Sequence, residues 1–197
     1  TVMAYRRDLE LYAEFQILRQ PLVQFFDFMK ERQLSTRSQA RVISSLRTYF
    51  RFLETSGIKA PELRELRPPR VKPNLPKPIS LSEFHKLFES CIVEDAPRST
   101  RNQLTLLLLF GLGCRVSELV GLNLHDFNVT DAWLKVLGKG GKERLVPLSE
   151  ALLGQLKAYI VDARPHLVKG DTSSILINDR GHRPSRVDVW RWLAAWS

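Results

Sequence analysis

The sequence has few cysteines and no long apolar run. Cys91 and Cys114 are far apart and form no CxxC arrangement. We therefore expect neither a disulfide framework nor a structural zinc site, and we interpret both cysteines as reduced thiols. No apolar stretch approaches the roughly 20 residues that span a bilayer, and residues 1–11 are too charged for a signal peptide. These absences favour a cytoplasmic protein without a membrane partner.

Metal and nucleotide motifs are also missing. The four histidines have no HExxH or zinc-finger spacing, either with each other or with the cysteines. The GKGGK segment at 138–142 resembles a phosphate-binding loop, but Glu143 follows Lys142 where a Walker A motif needs Ser or Thr. The sequence therefore predicts no metal, no ATP and no other cofactor.

Positive charge is concentrated in the first part of the chain. Residues 1–78 contain 15 Lys and Arg against 8 Asp and Glu, whereas residues 79–197 contain 15 against 13. A focused positive field attracts a polyanion, and duplex DNA is the usual one. On charge alone, a basic surface that serves only solubility is an equal alternative.

The clearest predicted helix covers residues 34–53, with capping-box spacing at Thr36 and Gln39. Its apolar residues recur at helical spacing and form one stripe. The opposite face carries no acidic residue, whereas ordinary solvated faces mix charges of both signs. Arg, Ser and Thr are residues that contact phosphates, so we expect this face to bind DNA. Its members are Arg37, Arg41, Ser44, Thr48 and Arg51.

The chain divides into three predicted regions. Residues 1–66 contain this helix and two earlier amphipathic ones, which indicates a small, basic, all-helical domain. Residues 67–78 contain five prolines, four basic residues and no acid, which is typical of an extended basic linker. Within it, Arg70 and Lys72 are predicted DNA contacts. Residues 79–197 form the third region.

This third region mixes helices with short strands. A capping box at Ser80 predicts a helix through Glu89, and the apolar run 103–112 a buried helix. Two strand-like segments flank the GKGGK segment and predict a hairpin. A short strand and a final helix follow. The predicted fold class is mainly α with a small antiparallel sheet. The predicted strands are 133–137, 143–147 and 175–177, and the final helix is 187–196.

Two features of this region carry possible chemistry. Arg115 and Glu118 lie on one face of a short helix predicted at 115–122. A guanidinium held by a carboxylate can bind phosphate and offset transition-state charge, with a plain surface ion pair as the alternative. Lys139 and Lys142 lie at the hairpin tip, where a lysine can contact phosphate and donate a proton. An ordinary solvated turn is the alternative there.

Five segments carry a resemblance to one family. In chain order they are TVMAYRRDLE, ARVISSLRTYFRFLETSGI, LLLLFGLGCRVSELVGLNLHDF, LKVLGKGGKERLVPLS and ILINDRGHRPSRVDVWRWL. In this order, they resemble the tyrosine site-specific recombinases of the phage integrase family, most closely the bacterial Xer type. Together they cover nearly the whole chain, and the pairing of the third segment with the fourth is highly specific.

The resemblance implies a helical core-binding domain and an α+β catalytic domain that form a C-shaped clamp around double-stranded DNA. It implies that Arg115 is the first catalytic arginine, Glu118 its acidic partner and Lys139 the general acid, with Lys142 as a nearby alternative. In the family a tyrosine attacks the scissile phosphate and forms a 3′-phosphotyrosyl bond. That bond conserves the energy of the broken one, so neither ATP nor a metal is needed. Family members act as tetramers on two DNA sites.

The resemblance also implies that a second catalytic cluster, with the nucleophilic tyrosine, lies beyond Ser197. The tyrosines at 5, 12, 49 and 159 match structural positions, so we expect this chain alone to bind DNA without cleaving it. Chromosome or plasmid dimer resolution is the expected role. The alternatives are integration of a mobile element and a non-catalytic DNA-binding or regulatory protein.

Overall fold

The computed structural model is mainly helical with a small antiparallel sheet, which confirms the predicted fold class. Within the part of the chain that it describes, no helix is both long and apolar enough to cross a bilayer. Lys72 and much of the predicted linker fall outside that part. The described residues are 2–59, 61, 67–70 and 78–197.

The chain separates into two compact units, Thr1–Lys77 and Pro78–Ser197. Within its described residues, the first unit forms three α-helices: α1 (Val2–Ile17), α2 (Phe25–Glu31) and α3 (Thr36–Thr55). Aromatic rings dominate its core, and the apolar stripe of α3 is buried against them, because helical spacing puts these side chains on one face. The fully buried residues of this core include Phe15, Phe25, Val42, Ile43, Leu46 and Phe50.

The start of α3 differs from the expected capping box at Thr36 and Gln39, which is wrong by one residue. Ser35 is the N-cap: its backbone is extended, and its hydroxyl accepts the backbone N–H of Ser38 at 3.2 Å. Gln39 is buried instead, and its side-chain amide donates to the Leu34 carbonyl at 2.8 Å.

The second unit contains six α-helices and the sheet, which share one hydrophobic core. A capping box of Ser80 and Glu83 starts the first of them, as predicted. The next begins well before the predicted residue 103, because Asp95 caps it and Pro97 lies in its first turn. A π-helical turn, Tyr159–Ala163, joins the helix that ends at Ala158 to the helix that begins at Arg164. The helices are α4 (Leu81–Ser90), α5 (Ala96–Gly111), α6 (Val116–Leu119), α7 (Glu150–Ala158), α8 (Arg164–Leu167) and α9 (Arg186–Trp196).

The sheet is an antiparallel meander of β1 (Phe127–Asn128), β2 (Trp133–Leu137) and β3 (Glu143–Pro147). The two longer strands have their predicted bounds and are in a register that pairs Leu137 with Glu143. Leu134 and Val136 face the core, as the alternation of a half-buried strand requires.

The strand predicted at 175–177 is not formed, so that prediction is wrong. The segment enters the core as bent chain without regular secondary structure, with Ile175, Leu176 and Ile177 buried. Its backbone contacts are one bridge between Asn123 and Ser174, a bond from the Ile175 N–H to the Leu122 carbonyl at 3.0 Å, and side-chain donors to the Leu176 and Ile177 carbonyls. Burial, not a strand ladder, therefore accounts for the apolar run.

Candidate active site

Arg115 is the residue that caps the short helix α6. It follows Gly113, whose φ of +58° favours glycine, and its own backbone is extended. Its side chain is 71% exposed, whereas that of Glu118 is 3% exposed. The turn of α6 thus buries the carboxylate and directs the guanidinium outward.

The Glu118 carboxylate joins two arginines. One oxygen accepts a hydrogen bond from Arg115 Nη1 at 2.9 Å. The other accepts the Arg115 backbone N–H at 2.9 Å and Arg144 Nη2 at 2.8 Å. A buried carboxylate with this many charge-assisted donors holds both guanidiniums in fixed positions.

Arg144 was not singled out from the sequence. It lies in β3, where alternate residues are half-buried, and 26 residues separate it from Glu118. An arginine on the inward side of a strand must find an acidic or carbonyl partner, and this alternation is the signal that could have found it.

Proton binding to Glu118 is strongly disfavoured. The hydrogen bond from Arg144, followed by the backbone N–H of Arg115, lowers the pKa of Glu118 from 4.5 to about 2, and burial opposes these effects only in part. The carboxylate therefore stays ionised at neutral pH, and the three charges leave a net positive one.

The β2–β3 hairpin begins beside this cluster. A Cβ added to Gly138 would lie 3.7 Å from Glu118 Oε1 and 3.6 Å from Arg144 Nη1. It would also lie 3.2 Å from the carbonyl oxygen of Lys142, so only glycine fits without displacement. Lys139 is the next residue after Gly138. Its backbone therefore begins close to the Glu118 carboxylate that holds Arg115.

The hairpin tip is a tight 3₁₀ turn over Lys139–Gly141. Gly140 and Gly141 both have φ of +77°, which explains the glycine pair in the sequence. A bond from the Gly138 N–H to the Lys142 carbonyl, 2.7 Å long, closes the turn. Both lysine side chains are exposed, and in the described ranges no carboxylate pairs with either.

A third arginine holds the C-terminal end of α6. Arg183 donates from Nη1 to the Val120 carbonyl at 2.7 Å and from Nη2 to the Asn123 side-chain oxygen at 2.5 Å. It therefore ties the end of α6 to the loop before α9. Its sequence context, GHRPS, offered no signal for this contact.

The predicted phosphate-binding face of α3 is exposed along its length, in the first unit. It is not free of acid, however, because α1 brings Asp8 to it. Asp8 is buried and accepts hydrogen bonds from Arg41 at 2.5 Å and from Ser45 at 2.6 Å. Arg41 is thus partly neutralised, whereas Arg37 and Arg51 have no carboxylate partner among the described residues.

The remaining predicted DNA contacts of the α3 face and the linker are Ser44, Thr48, Arg70 and Lys72. Ser44 is exposed, and Thr48 is exposed with its hydroxyl donating to the Ser44 carbonyl at 3.1 Å. Arg70 is exposed, and Lys72 lies outside the described residues.

The acidic, histidine and cysteine residues that the structure describes form neither a cluster suited to a metal nor a disulfide. They contain no group of three or more that could hold a metal ion. Cys91 and Cys114 are both free and buried. Burial raises the pKa of Cys91 to about 11 and also raises that of Cys114.

Comparison with known proteins places these features in a family context. The model of the phage integrase family matches residues 79–197. Tyrosine recombinase XerD of Pseudomonas aeruginosa is 36% identical, over 95% of the chain and 66% of the relative. XerD of Oceanobacillus iheyensis is 32% identical, over 98% of the chain and 69% of the relative. The chain thus spans about two thirds of the length of these relatives.

Solved structures of other proteins have a fold similar to that of this chain. The crystal structure of lambda integrase residues 75–356 bound to DNA aligns with a TM-score of 0.71 and 19% identity, covering 100% of the chain and 69% of that structure. At this identity the match shows the fold alone.

The low pKa of Glu118 predicts a pH-dependent contribution to stability. Its pKa is lowered in the folded state, so the stabilisation is present above about pH 4.5 and is lost as the pH falls towards 2. We expect Glu118→Gln to destabilise the second unit by on the order of 2 kcal/mol at neutral pH and by much less near pH 2. Urea unfolding followed by tryptophan fluorescence measures this, because all four tryptophans lie in residues 78–197.

Glu89→Gln is the matched control, since Glu89 is an exposed glutamate of the same unit. It should keep the wild-type dependence of stability on pH. A Glu118→Gln protein whose loss of stability is equal at pH 7 and pH 2.5 would show that the carboxylate charge contributes nothing.

Proposed function

The chain belongs to the phage integrase family of tyrosine recombinases, and on that premise we propose that it takes part in site-specific DNA recombination. DNA strands would be cleaved and rejoined through a 3′-phosphotyrosyl intermediate. The observation that carries this proposal is the Glu118 carboxylate, which orients an exposed Arg115 beside the hairpin of Lys139. This arrangement suits a phosphate that gains charge during a reaction.

In the proposed reaction, Arg115 binds a non-bridging oxygen of the scissile phosphate and offsets its developing charge. A tyrosine oxygen forms a bond to phosphorus as the bond from phosphorus to the 5′ oxygen breaks. The Lys139 ammonium gives its proton to that 5′ oxygen, with Lys142 as the alternative donor. Rejoining reverses these steps: a 5′-hydroxyl attacks the phosphorus, its proton returns to the lysine, and the tyrosine oxygen leaves.

We propose that the nucleophile is not among these 197 residues. Tyr159 is the single tyrosine of residues 78–197, and it is fully buried. Burial raises its pKa to about 12, which disfavours the phenolate. The chain by itself would then bind double-stranded DNA without cleaving it.

We assign the first unit to DNA binding. Support comes from the exposed face of α3, where Arg37 and Arg51 are free of carboxylate partners within the described residues. The similarity of the chain to relatives named XerD supports an Xer-type role. We propose that this role is the resolution of chromosome or plasmid dimers by a tetramer of recombinases on two DNA sites. We place Arg70 and Lys72 in the same interface.

A nicked suicide substrate tests cleavage by the protein encoded by the complete coding sequence that contains this chain. A covalent protein–DNA adduct is expected, and Arg115→Ala should slow its formation about 10²- to 10³-fold, because it removes a preorganised charge from the transition state. Lys139→Ala should slow it on unmodified DNA and be rescued by a 5′-phosphorothiolate, whose leaving group needs no proton.

Lys157→Ala is the control for this assay, since Lys157 is an exposed lysine of α7 with no place in the proposed site. It should cleave at the wild-type rate. A protein that binds DNA yet forms no adduct would instead support the non-catalytic DNA-binding alternative.

The salt dependence of DNA binding tests the α3 face in the chain itself. Replacing Arg37 and Arg51 together by Ala should reduce the slope of log K against log salt by about 2, at roughly 0.9 per phosphate contact. Arg41→Ala should reduce it less, because Asp8 already neutralises part of that charge. Arg6→Ala, on α1 and paired with Glu10, is the control. An unchanged slope in the double variant would remove α3 from the interface.

A further inference from the structure

Arg144 links the hairpin to the carboxylate that orients Arg115. It lies in β3 opposite Val136, on the inward side of the strand, and its Nη2 reaches Glu118 in α6. Strand alternation sets this direction, because the neighbouring residues Glu143 and Leu145 are exposed. A hydrogen bond between charged groups thus joins two elements that are far apart in sequence.

The Glu118 carboxylate is shared between Arg144 and Arg115, so the ion pair of Arg144 with Glu118 also affects Arg115. Glu118 Oε2 accepts both the Arg115 backbone N–H and Arg144 Nη2, while Oε1 accepts Arg115 Nη1. A rotation of the carboxylate that followed Arg144 would therefore weaken the bonds to Arg115. Conversely, a carboxylate held by Arg115 gives the hairpin a fixed anchor.

The anchor lies at the base of the lysine-bearing turn. Arg144 Nη1 is 3.6 Å from the position of a Cβ on Gly138, the residue before Lys139. Gly138 also begins the turn through its bond to the Lys142 carbonyl. The guanidinium therefore contacts the hairpin at the point from which the tip projects.

A second ionic contact supports the hairpin but reaches another element. Lys135 of β2 lies 3.6 Å from Asp126, in the turn before β1, and 3.5 Å from Glu143. These distances are longer than the 2.8 Å between Arg144 and Glu118. Among the described residues, Arg144 makes the one ion pair between the hairpin and α6.

We infer that Arg144 is a positioning residue, which fixes the Lys139 hairpin relative to Arg115 through the shared carboxylate of Glu118. This inference rests on the proposed function, because the position of the hairpin matters through the lysine it carries. Arg144 acts through Glu118 and the hairpin, and no contact of its own with DNA is needed.

Amide hydrogen exchange of the free chain tests this inference. Arg144→Met keeps the length of the side chain but removes its charge, and it should speed exchange of the Gly138 amide about tenfold. This is the lower end expected for a hydrogen bond between charged groups, because Arg144 is 39% exposed. Arg144→Lys should restore most of the protection, whereas a role in packing alone would make Lys and Met equivalent.

Two internal references separate a local effect from unfolding. Amides of the buried α5 residues Leu104 and Leu108 should exchange at wild-type rates in Arg144→Met. Arg186→Met, at an exposed arginine of α9, should leave the hairpin unchanged. Wild-type exchange at Gly138 in Arg144→Met would overturn the inference.

A double-mutant cycle tests whether Glu118 transmits the effect. Combining Glu118→Gln with Arg144→Met should speed Gly138 exchange no more than the stronger single variant does, because both remove the same link. Multiplicative effects would overturn the coupling, and if Glu118→Gln does not fold, the Lys and Met comparison still decides. The measurement needs no DNA, so failure to bind DNA would refute the proposed function and leave this result standing.

Discussion

The candidate site of the second unit is organised around one buried carboxylate between two guanidiniums. Removing Glu118 from water is costly unless donors replace the lost hydration, and three N–H groups do so. The bonds to those donors link α6 to β3, and Gly138 at the base of the Lys139 hairpin lies next to the carboxylate that holds Arg115. Because the buried Glu118 carboxylate binds it, the exposed guanidinium of Arg115 is held in a fixed direction.

Much of the fold could be predicted because local periodicity specifies its elements. Apolar spacing predicted the helix of residues 34–53, and two strand-like segments around GKGGK predicted the hairpin with its correct bounds. Errors arose where a pattern has two physical causes. The apolar run 175–177 was interpreted as a strand, yet it is bent chain buried in the core. Ser35 and Thr36 can both cap a helix, and backbone geometry selects between them.

The site could be predicted only as far as short-range spacing reaches. Arg115 and Glu118 are three residues apart, so their pairing follows from one helical turn. Arg144 is 26 residues from Glu118, and Asp8 is 33 from Arg41. Such pairs depend on which elements pack together, and one sequence does not contain that information in its local pattern. The long-range contact that completes the cluster around Glu118 therefore escaped prediction, as did the one that neutralises part of the α3 face.

The central claim is that Arg115 and Lys139 act on one phosphate because Glu118 and Arg144 hold them together. A structure of the chain bound to a duplex with a nick at the cleavage position tests it most directly. We predict that the Arg115 guanidinium and the Lys139 ammonium contact the same phosphate group or its 5′ oxygen, with the Glu118 bonds intact. Contacts of the two side chains with different phosphates, or a hairpin turned away from the DNA, would contradict the account.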